Sequence, residues 1–566
     1  MKIYFKVFAT GALTIAASSC STFLDVNSNP NSALSVTPDA QLGSALTVTA
    51  ANYTGNTPSY NSYASWAAGY WGKTGVVSGY GEELTYNYSS SYYAGLWDNT
   101  YDNLEDYAQI QTNGTASGYP YHAAIARIMK VYNYLLLVDE YGDIPYSQAL
   151  QGINSVSPAY DKAQDIYKDL IVQLTGAIAD IKATDATATA TFTPRPVGAE
   201  DVVFSGSMMR WRQFANSLKL RILLRESQTG DATLNTYITQ QMTALQASVA
   251  DNSGTFITAD VVAQPGYAQN TGQQNPLYTR YAYTAAGAGA TERSYQIPTQ
   301  FILNQYTNNS DPRVSQLYTM GQRLVNGTAT AQYVGARPGE SNSPSFNAPT
   351  ESLPTSSRFL GGNSTTASGG ILKGLNAPTA LMLLSEHLFS KAEAETRGLL
   401  PGGEAAAKQD YNDGIKASFV YFYRAAATTN ATINASTLAS STTSGAAGIS
   451  QYNTFAATTN AGGANATNSM VNYDVATTNG ALGKQAIILY QKYLAMNSIA
   501  SIEAWDDYRR AAQPNLSQVA STQSQSPRAD KLPTRLLYPL SEVSTNASHV
   551  PSGITQYTKI FWDVVD

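Results

Sequence analysis

The sequence predicts a mainly α-helical protein whose helices are separated by long loop-rich stretches. Three observations support that class. Apolar residues recur three or four apart in one segment after another, the spacing of a single helical face. Between these segments lie long stretches rich in Gly, Pro, Asn, Ser and Thr in which the rhythm is lost. Hydrophobic residues make up 43% of the 566-residue chain, enough for a sizeable core. Well over a third of the chain is expected in helix and very little in strand.

The elements follow in order. A helix is expected from near Ser32 through Leu42, Ala45 and Leu46. Residues 52–97 differ, with Tyr53, Tyr60, Tyr63, Tyr86, Tyr88, Tyr92, Tyr93 and other aromatics set among Gly, Ser and Asn. Residues 121–138 are apolar at helical spacing and stop before Tyr141-Gly142-Asp143-Ile144-Pro145, with Pro145 read as the stop. Over 158–181, Tyr160, Ile166, Leu170, Leu174, Ile178 and Ile181 make one apolar face. Over 209–225, Trp211, Phe214, Leu218 and Ile222 repeat it. Residues 251–370 read as loop-rich, with aromatic spots at Tyr267, Tyr281 and Tyr306. A helix over 379–397 runs through Leu381, Leu384, Leu388 and Ala392, with Gly398 and Pro401 as stop signals. Its partner over 404–423 carries Tyr411, Ile415 and Phe419. The two have the size of a tetratricopeptide unit without its consensus. Residues 427–480 read as a long surface loop. Helix returns over 482–510, and the last fifty residues read as loop.

Cys20 is the only cysteine, so it cannot close an internal disulfide. Lys2 and Lys6 precede a short apolar run that ends in Ala17-Ser18-Ser19-Cys20. That run is too short to span about 30 Å of hydrocarbon. It reads as a secretory signal over 1–19 with Cys20 as a bacterial lipoprotein attachment point, although Ala17 stands where Leu is usual. Several acyl chains on one residue anchor a protein stably, where one chain is marginal. The mature chain, 20–566, is expected to be one helical domain behind a polar tether over 20–32.

The formal charge is −6, and losing Lys2 and Lys6 makes the mature chain more acidic by two charges. That balance argues against nucleic acid, which wants a basic stripe. Charged residues are only 13% of the chain, about half the usual share. Tyr outnumbers Phe by 39 to 15, so the chain favours aromatics that keep a polar handle. Uncharged polar groups with exposed aromatic faces suit neutral ligands rich in hydroxyls or amides, and a general surface bias of secreted proteins accounts for them equally well.

Seven stretches together resemble the SusD/RagB family of nutrient-binding outer-membrane lipoproteins of Bacteroidetes. They are Cys20-Ser-Thr-Phe-Leu-Asp-Val-Asn-Ser-Asn-Pro30, Trp97-Asp-Asn-Thr-Tyr101, Asp139-Glu-Tyr-Gly-Asp-Ile-Pro-Tyr146, Trp211-Arg-Gln-Phe-Ala-Asn-Ser-Leu-Lys-Leu-Arg221, Asp311-Pro-Arg313, Glu503-Ala-Trp-Asp-Asp-Tyr-Arg-Arg510 and Arg535-Leu-Leu-Tyr-Pro-Leu-Ser-Glu542. They fall in family order and run almost end to end. The resemblance implies a mainly α SusD-like fold with tetratricopeptide-like helix pairs as a scaffold and long ligand-binding loops that vary with the ligand, an outer-membrane lipid anchor and a SusC-type TonB-dependent transporter as partner. It implies capture of an oligomeric nutrient, often a glycan and in some members a peptide. No cofactor is expected. The shared motifs read as fold-keeping positions, with Trp211 and Phe214 in the core and Arg509 and Arg510 paired with acids. They carry no shared ligand-contact motif, so the candidate site rests on the residues themselves.

The first candidate cluster is Trp66, Tyr70, Trp71, Tyr80 and Trp97 with Glu82, Glu83 and Asn87. The apolar face of a sugar ring stacks on an aromatic ring while neighbouring polar groups fix its hydroxyls. The second cluster is Tyr278, Arg280, Tyr283, Arg293 and Tyr295. Some of these aromatics are equally suited to packing beneath a loop. A hydrolase reading finds paired acids at Glu82-Glu83 and Asp506-Asp507, but the latter sit beside Arg509 and Arg510 and read as an ion-pair network. His122, His387 and His549 have no ligand-like spacing, so no metal site is expected. A binding protein is therefore expected rather than an enzyme. A surface scaffold or adhesin without a ligand pocket is the alternative of a different class.

Overall fold

A computed structural model describes residues 36–55, 58–75, 81–187, 193–251, 256–340, 343–344, 349, 354–361, 370–425, 447–476 and 481–564. The signal, Cys20, the tether and Tyr80 lie outside the described residues, as do 427–446 and 477–480 of the expected surface loop.

The chain opens with α1 (Pro38–Thr54), α2 (Tyr60–Ala67) and the short strand β1 (Trp71–Lys73). Two long helices follow, α3 (Gly95–Ala116) and α4 (Pro120–Tyr141), then the ribbon β2 (Ile144–Pro145) and β3 (Tyr160–Asp161). Next come α5 (Ala163–Thr187), α6 (Met208–Arg225) and α7 (Ala232–Asp251). The middle holds β4 (Val261–Ala263), α8 (Pro276–Tyr281), β5 (Gln296–Pro298), α9 (Gln300–Thr307) and α10 (Arg313–Leu317). Strands β6 (Tyr318–Thr319), β7 (Gly321–Val325), β8 (Thr328–Gln332), β9 (Arg358–Phe359) and β10 (Thr379–Met382) complete it. Then come α11 (Leu384–Thr396), α12 (Gly403–Tyr423), α13 (Ile449–Ala457), α14 (Ala481–Met496), α15 (Ser501–Ala511) and α16 (Leu540–Thr545). About 51% of the structure is helical. The strands form two-stranded antiparallel pairs only: β1 with β5, β4 with β10, β2 with β3, β6 with β9 and β7 with β8.

Successive helices pack on one another, α3 on α4, α4 on α5, α5 on α6 and α11 on α12. The mainly α class with helix pairs is what the periodicity predicts. α4 is buried nearly all round, from His122 to Tyr141, which marks a helix inside the protein. No helix among the described residues is long and apolar enough to cross a membrane.

A lattice of buried ions ties the helices together. Arg221 reaches Glu386 at 2.7 Å and Glu503 at 3.0 Å. Arg225, one turn on, reaches Asp139, Glu503 at 2.5 Å and Asp506 at 2.8 Å. Arg509 meets Glu140 at 2.5 Å and Asp506, and donates to the carbonyls of Asp139 and Thr534. Arg510 meets Glu393 at 2.5 Å and Asp507 at 2.7 Å, and Lys492 holds the other side of Asp507 at 2.8 Å. Trp562 lies 4.8 Å from the Arg509 guanidinium. Burial, with Asp506 close by, pushes the Asp139 carboxyl up despite Arg225. Burial also raises Glu386 against the pull of Arg221. Glu393 goes the other way: Arg510 and Arg397 outweigh its burial and hold it down at about 2.

Several boundaries correct the sequence reading. Tyr160 lies on β3 rather than in a helix, because Pro145 pairs across to it and the helix begins only at Ala163. Gly142, at φ +72, ends α4 with its N–H on the Val138 carbonyl, and Pro145 plays no part in that stop. Residues 379–382 form β10 against β4, and α11 starts at Leu384. The expected helix over 482–510 is two helices, broken at Ser498 with φ +63. Residues 447–476 are packed rather than loose. Phe455, Val471 and Tyr473 enter the core there, and Asn465 and Asn472 hold the turns through backbone carbonyls.

Candidate ligand-binding face

Parts of the two candidate clusters, whose nearest members Trp97 and Tyr278 are 181 residues apart in sequence, meet at one ribbon. Ser59 caps α2 with a reciprocal bond to Ser62, and Gly69 at φ +73 turns the chain into β1. Any side chain at Gly69 would collide with Val519, since a Cβ there would stand 2.4 Å from it. β1 then pairs with β5 in the register Trp71↔Pro298, Gly72↔Ile297 and Lys73↔Gln296. Beyond the strand, Thr74 donates its N–H to the Tyr295 carbonyl at 3.0 Å and its hydroxyl to the Ser294 carbonyl at 2.8 Å. Trp71 and Tyr281 consequently touch edge to face at 4.9 Å.

Around this ribbon sits a half-exposed mosaic of rings and charges. Trp66 stands edge-on to Trp71 at 6.4 Å, and the Lys73 ammonium lies 5.8 Å from the Trp66 ring. Lys73 also pairs with Glu83 at 2.6 Å. The Glu82 carboxylate accepts from the backbone and hydroxyl of Ser89. On the facing segment Arg280 lies 3.5 Å from Glu292, and Glu292 accepts from Gln296 at 2.6 Å. The Arg293 guanidinium lies 5.0 Å from the Tyr283 ring. Arg358 on β9 completes the rim; its burial, and Arg293 beside it, lower its pKa. Tyr295 is half-buried and gives its carbonyl to Thr74.

Other candidates lie inside the protein. Tyr70 is fully buried, stacked on Tyr493 at 4.5 Å, with its hydroxyl on the Tyr493 carbonyl. Trp71 is buried and donates its indole N–H to Ser498 at 2.8 Å. Trp97 is buried elsewhere, against Tyr101, Tyr141 and Tyr538. Tyr278 is buried 6.4 Å from Tyr283. These four pack the core and present no ring to solvent, which corrects their reading as ligand contacts. Asn87 is exposed, but it accepts from Gln556 and so ties its loop to the C-terminal segment.

The face also includes residues outside those two clusters, Lys73, Glu292, Arg358 and Phe359, with Tyr281 buried beneath it. Tyr281 was visible as one more aromatic in its stretch. Arg358 and Phe359 sit in a short strand within a loop-rich segment, where no periodicity marks them.

Glu83 and Glu292 each sit beside a cation, and Asp506 and Asp507 are saturated in the buried lattice. His122 pairs with Glu200 at 3.0 Å, His549 with Asn546, and His387 is buried against Phe256. No group of His, Cys, Asp and Glu able to hold a metal ion occurs among the described residues.

The family model described as SusD-like, "starch-binding associating with outer membrane", matches residues 30–539. A solved structure named as a chitin-binding protein is 22% identical, with a TM-score of 0.66 over 93% of this chain and 100% of that one. A SusD/RagB family protein from Bacteroides thetaiotaomicron is 21% identical, with a TM-score of 0.65 over 94% of this chain and 100% of that one. A SusD homolog from Bacteroides uniformis is 20% identical, with a TM-score of 0.62 over 92% and 99%. At these identities the likeness is one of fold. No match is found among curated proteins.

Proposed function

This chain belongs to the SusD-like family of starch-binding proteins that associate with the outer membrane, and on that premise we propose that it captures an oligomeric glycan at the cell surface and passes it to a SusC-type TonB-dependent transporter. The observation that carries the reading is the β1–β5 ribbon. It joins Trp66, Lys73 and Glu83 to Arg280, Tyr283, Arg293 and Tyr295 in one half-exposed face. Rings of that kind stack on the apolar faces of sugars, and the charged groups between them meet hydroxyls through charge-assisted hydrogen bonds.

The protein binds and does not cut. The acids of the face are engaged by cations or hydroxyls, and a glycosidase needs two carboxyls set across a scissile bond. Anchoring is through lipid on Cys20. A lipid anchor forms no pore, so import requires a separate barrel, and a capture protein held over it raises the local ligand concentration at its mouth. The loop-rich segments 52–97 and 251–370 face that barrel or the enclosed ligand, with the helix pairs outward.

Three measurements test this. Purified protein should retain soluble oligosaccharides in affinity electrophoresis and return them at unchanged length. The Trp66→Ala, Tyr283→Ala double variant should retain them less than the parent does. The Cys20→Ala variant should leave the outer membrane, and the native protein should copurify with a barrel protein from detergent-solubilised membranes. Shortened products, or recovery without any barrel protein, would sink the corresponding part of the reading.

A further inference from the structure

Behind the β1–β5 ribbon lies a cleft that the proposed face does not use. Side chains alternate across a strand, so Trp71 and Lys73 share one side of β1 and Gly72 turns to the other. A Cβ on Gly72 would stand 2.5 Å from the Ala336 methyl, so the ribbon is pressed against the cleft wall. The cleft has a volume of about 400 Å³, within the span of about 300–1,000 Å³ typical of small-ligand sites. Phe301, half-buried and 6.5 Å from Tyr493, supplies an aromatic surface. Gln300, Asn304, Arg337, Glu340 and Gln518 supply the polar one.

The walls are held by the backbone. Gln300 donates its N–H to the Ala336 carbonyl at 2.8 Å, and Ala336 donates to Pro298 at 3.0 Å. The Gly335 N–H reaches the Gln300 side chain at 2.9 Å, and a Cβ at Gly335 would come within 2.4 Å of the Gln300 nitrogen. On the opposite side Thr522 donates to the Pro338 carbonyl, and Gln523 to that of Gly339. A site built this way needs little ordering when a ligand arrives.

Its chemistry is that of a sugar site. Gln300 donates to Asn304 Oδ1 at 2.8 Å, which aligns the two amides. The Asn304 amide nitrogen and the Gln518 amide have no hydrogen bond among the described residues. On the exposed rim Arg337 meets Glu340 at 3.0 Å, setting donors beside acceptors as vicinal hydroxyls require. One cation is matched by one acid, so the lining favours a neutral ligand.

We propose that this cleft is a second saccharide site, for a short stretch of neutral sugar chain, separate from the Trp66–Tyr283 face. It rests on the carbohydrate reading for its ligand class, but not on that face. Two sites on one protein turn the second encounter with a polymer into an intramolecular event and retain it beyond either site alone.

The test uses two neutral probes, chitohexaose and maltohexaose, titrated calorimetrically into the purified mature chain. Hydrogen exchange is followed in parallel at 300–304 and 518–522. The Trp66→Ala, Tyr283→Ala variant should keep one binding event with protection at those segments. Adding Asn304→Ala, Arg337→Ala and Gln518→Ala, all at exposed positions, should weaken that event at least about tenfold with an unchanged circular dichroism spectrum. If the face variant binds neither probe while the parent binds one, with no protection at the cleft, the second site is overturned and the face stands. If the parent binds neither probe, the second site and the carbohydrate reading fall together.

Discussion

The buried lattice and the ligand face are built from the same residue types and differ in exposure. In the lattice Arg509 meets two acids, two backbone carbonyls and the Trp562 ring, with no solvent contact. In the face Arg293 lies on Tyr283, and Lys73 on Trp66 and Glu83, all half-exposed. A guanidinium enclosed in this way cannot reach a ligand, and removing its partner strands a charge away from water. A half-exposed one keeps N–H donors for an arriving oxygen. Residue type therefore says little about a binding surface here; unsatisfied donors and uncovered rings say more.

The largest effect should come from breaking the lattice. Arg509→Ala leaves Glu140 and Asp506 buried without their cation and should cost about 3–5 kcal/mol in urea denaturation. A variant as stable as the parent would erase the distinction between the two regions.

Next comes a buried acid that no cation satisfies. Glu226, at the end of α6, is fully buried, neither of its oxygens has a hydrogen-bond partner, and burial raises its pKa to about 8. The folded state holds that proton up to about pH 8, and the unfolded chain only to its reference value of 4.5. Parent stability from this group therefore falls as pH rises between those values. Glu226→Gln should stabilise by roughly 1–3 kcal/mol above pH 8 and by little at pH 5, as read from melting temperatures across pH. A gain independent of pH would show that Glu226 is not the protonated group.

In the face the expected change is in binding. Trp66→Ala should weaken oligosaccharide affinity about tenfold, or about 1.4 kcal/mol. Its stability should shift by less, because the ring is only half-buried. Unfolding without loss of affinity would place Trp66 with the packing residues.

The smallest effect should be at the face's ion pairs. Lys73→Met removes the pair with Glu83, which solvent reaches, and should alter stability by less than about 1 kcal/mol with further weakening at high salt.

Local pattern was enough for much of the scaffold. α4, α6 and α12 lie almost where the spacing of their apolar residues puts them, because one helical face has to be buried whatever it packs against. α7, a helix absent from the sequence expectation, carries the same signal in Leu234, Ile238, Met242, Leu245 and Val249. α3 is hidden from the periodicity, since its buried stripe mixes Leu96, Leu104 and Ile110 with Thr100 and Asn103. Residues 379–382 are a short continuous apolar run, which suits a buried strand as well as a helix, and pairing with β4 settled it. The ligand face lay beyond local pattern altogether. Trp66 and Trp71 are equally aromatic and five residues apart, yet one is half-exposed and the other fully covered. Their difference comes from β5, Ser498, Tyr281 and Phe359, which reach them from far along the chain. Helix formation is a short-range matter of hydrogen bonds and a buried stripe. Which ring remains uncovered depends on contacts between residues hundreds of positions apart, and only folding brings those together.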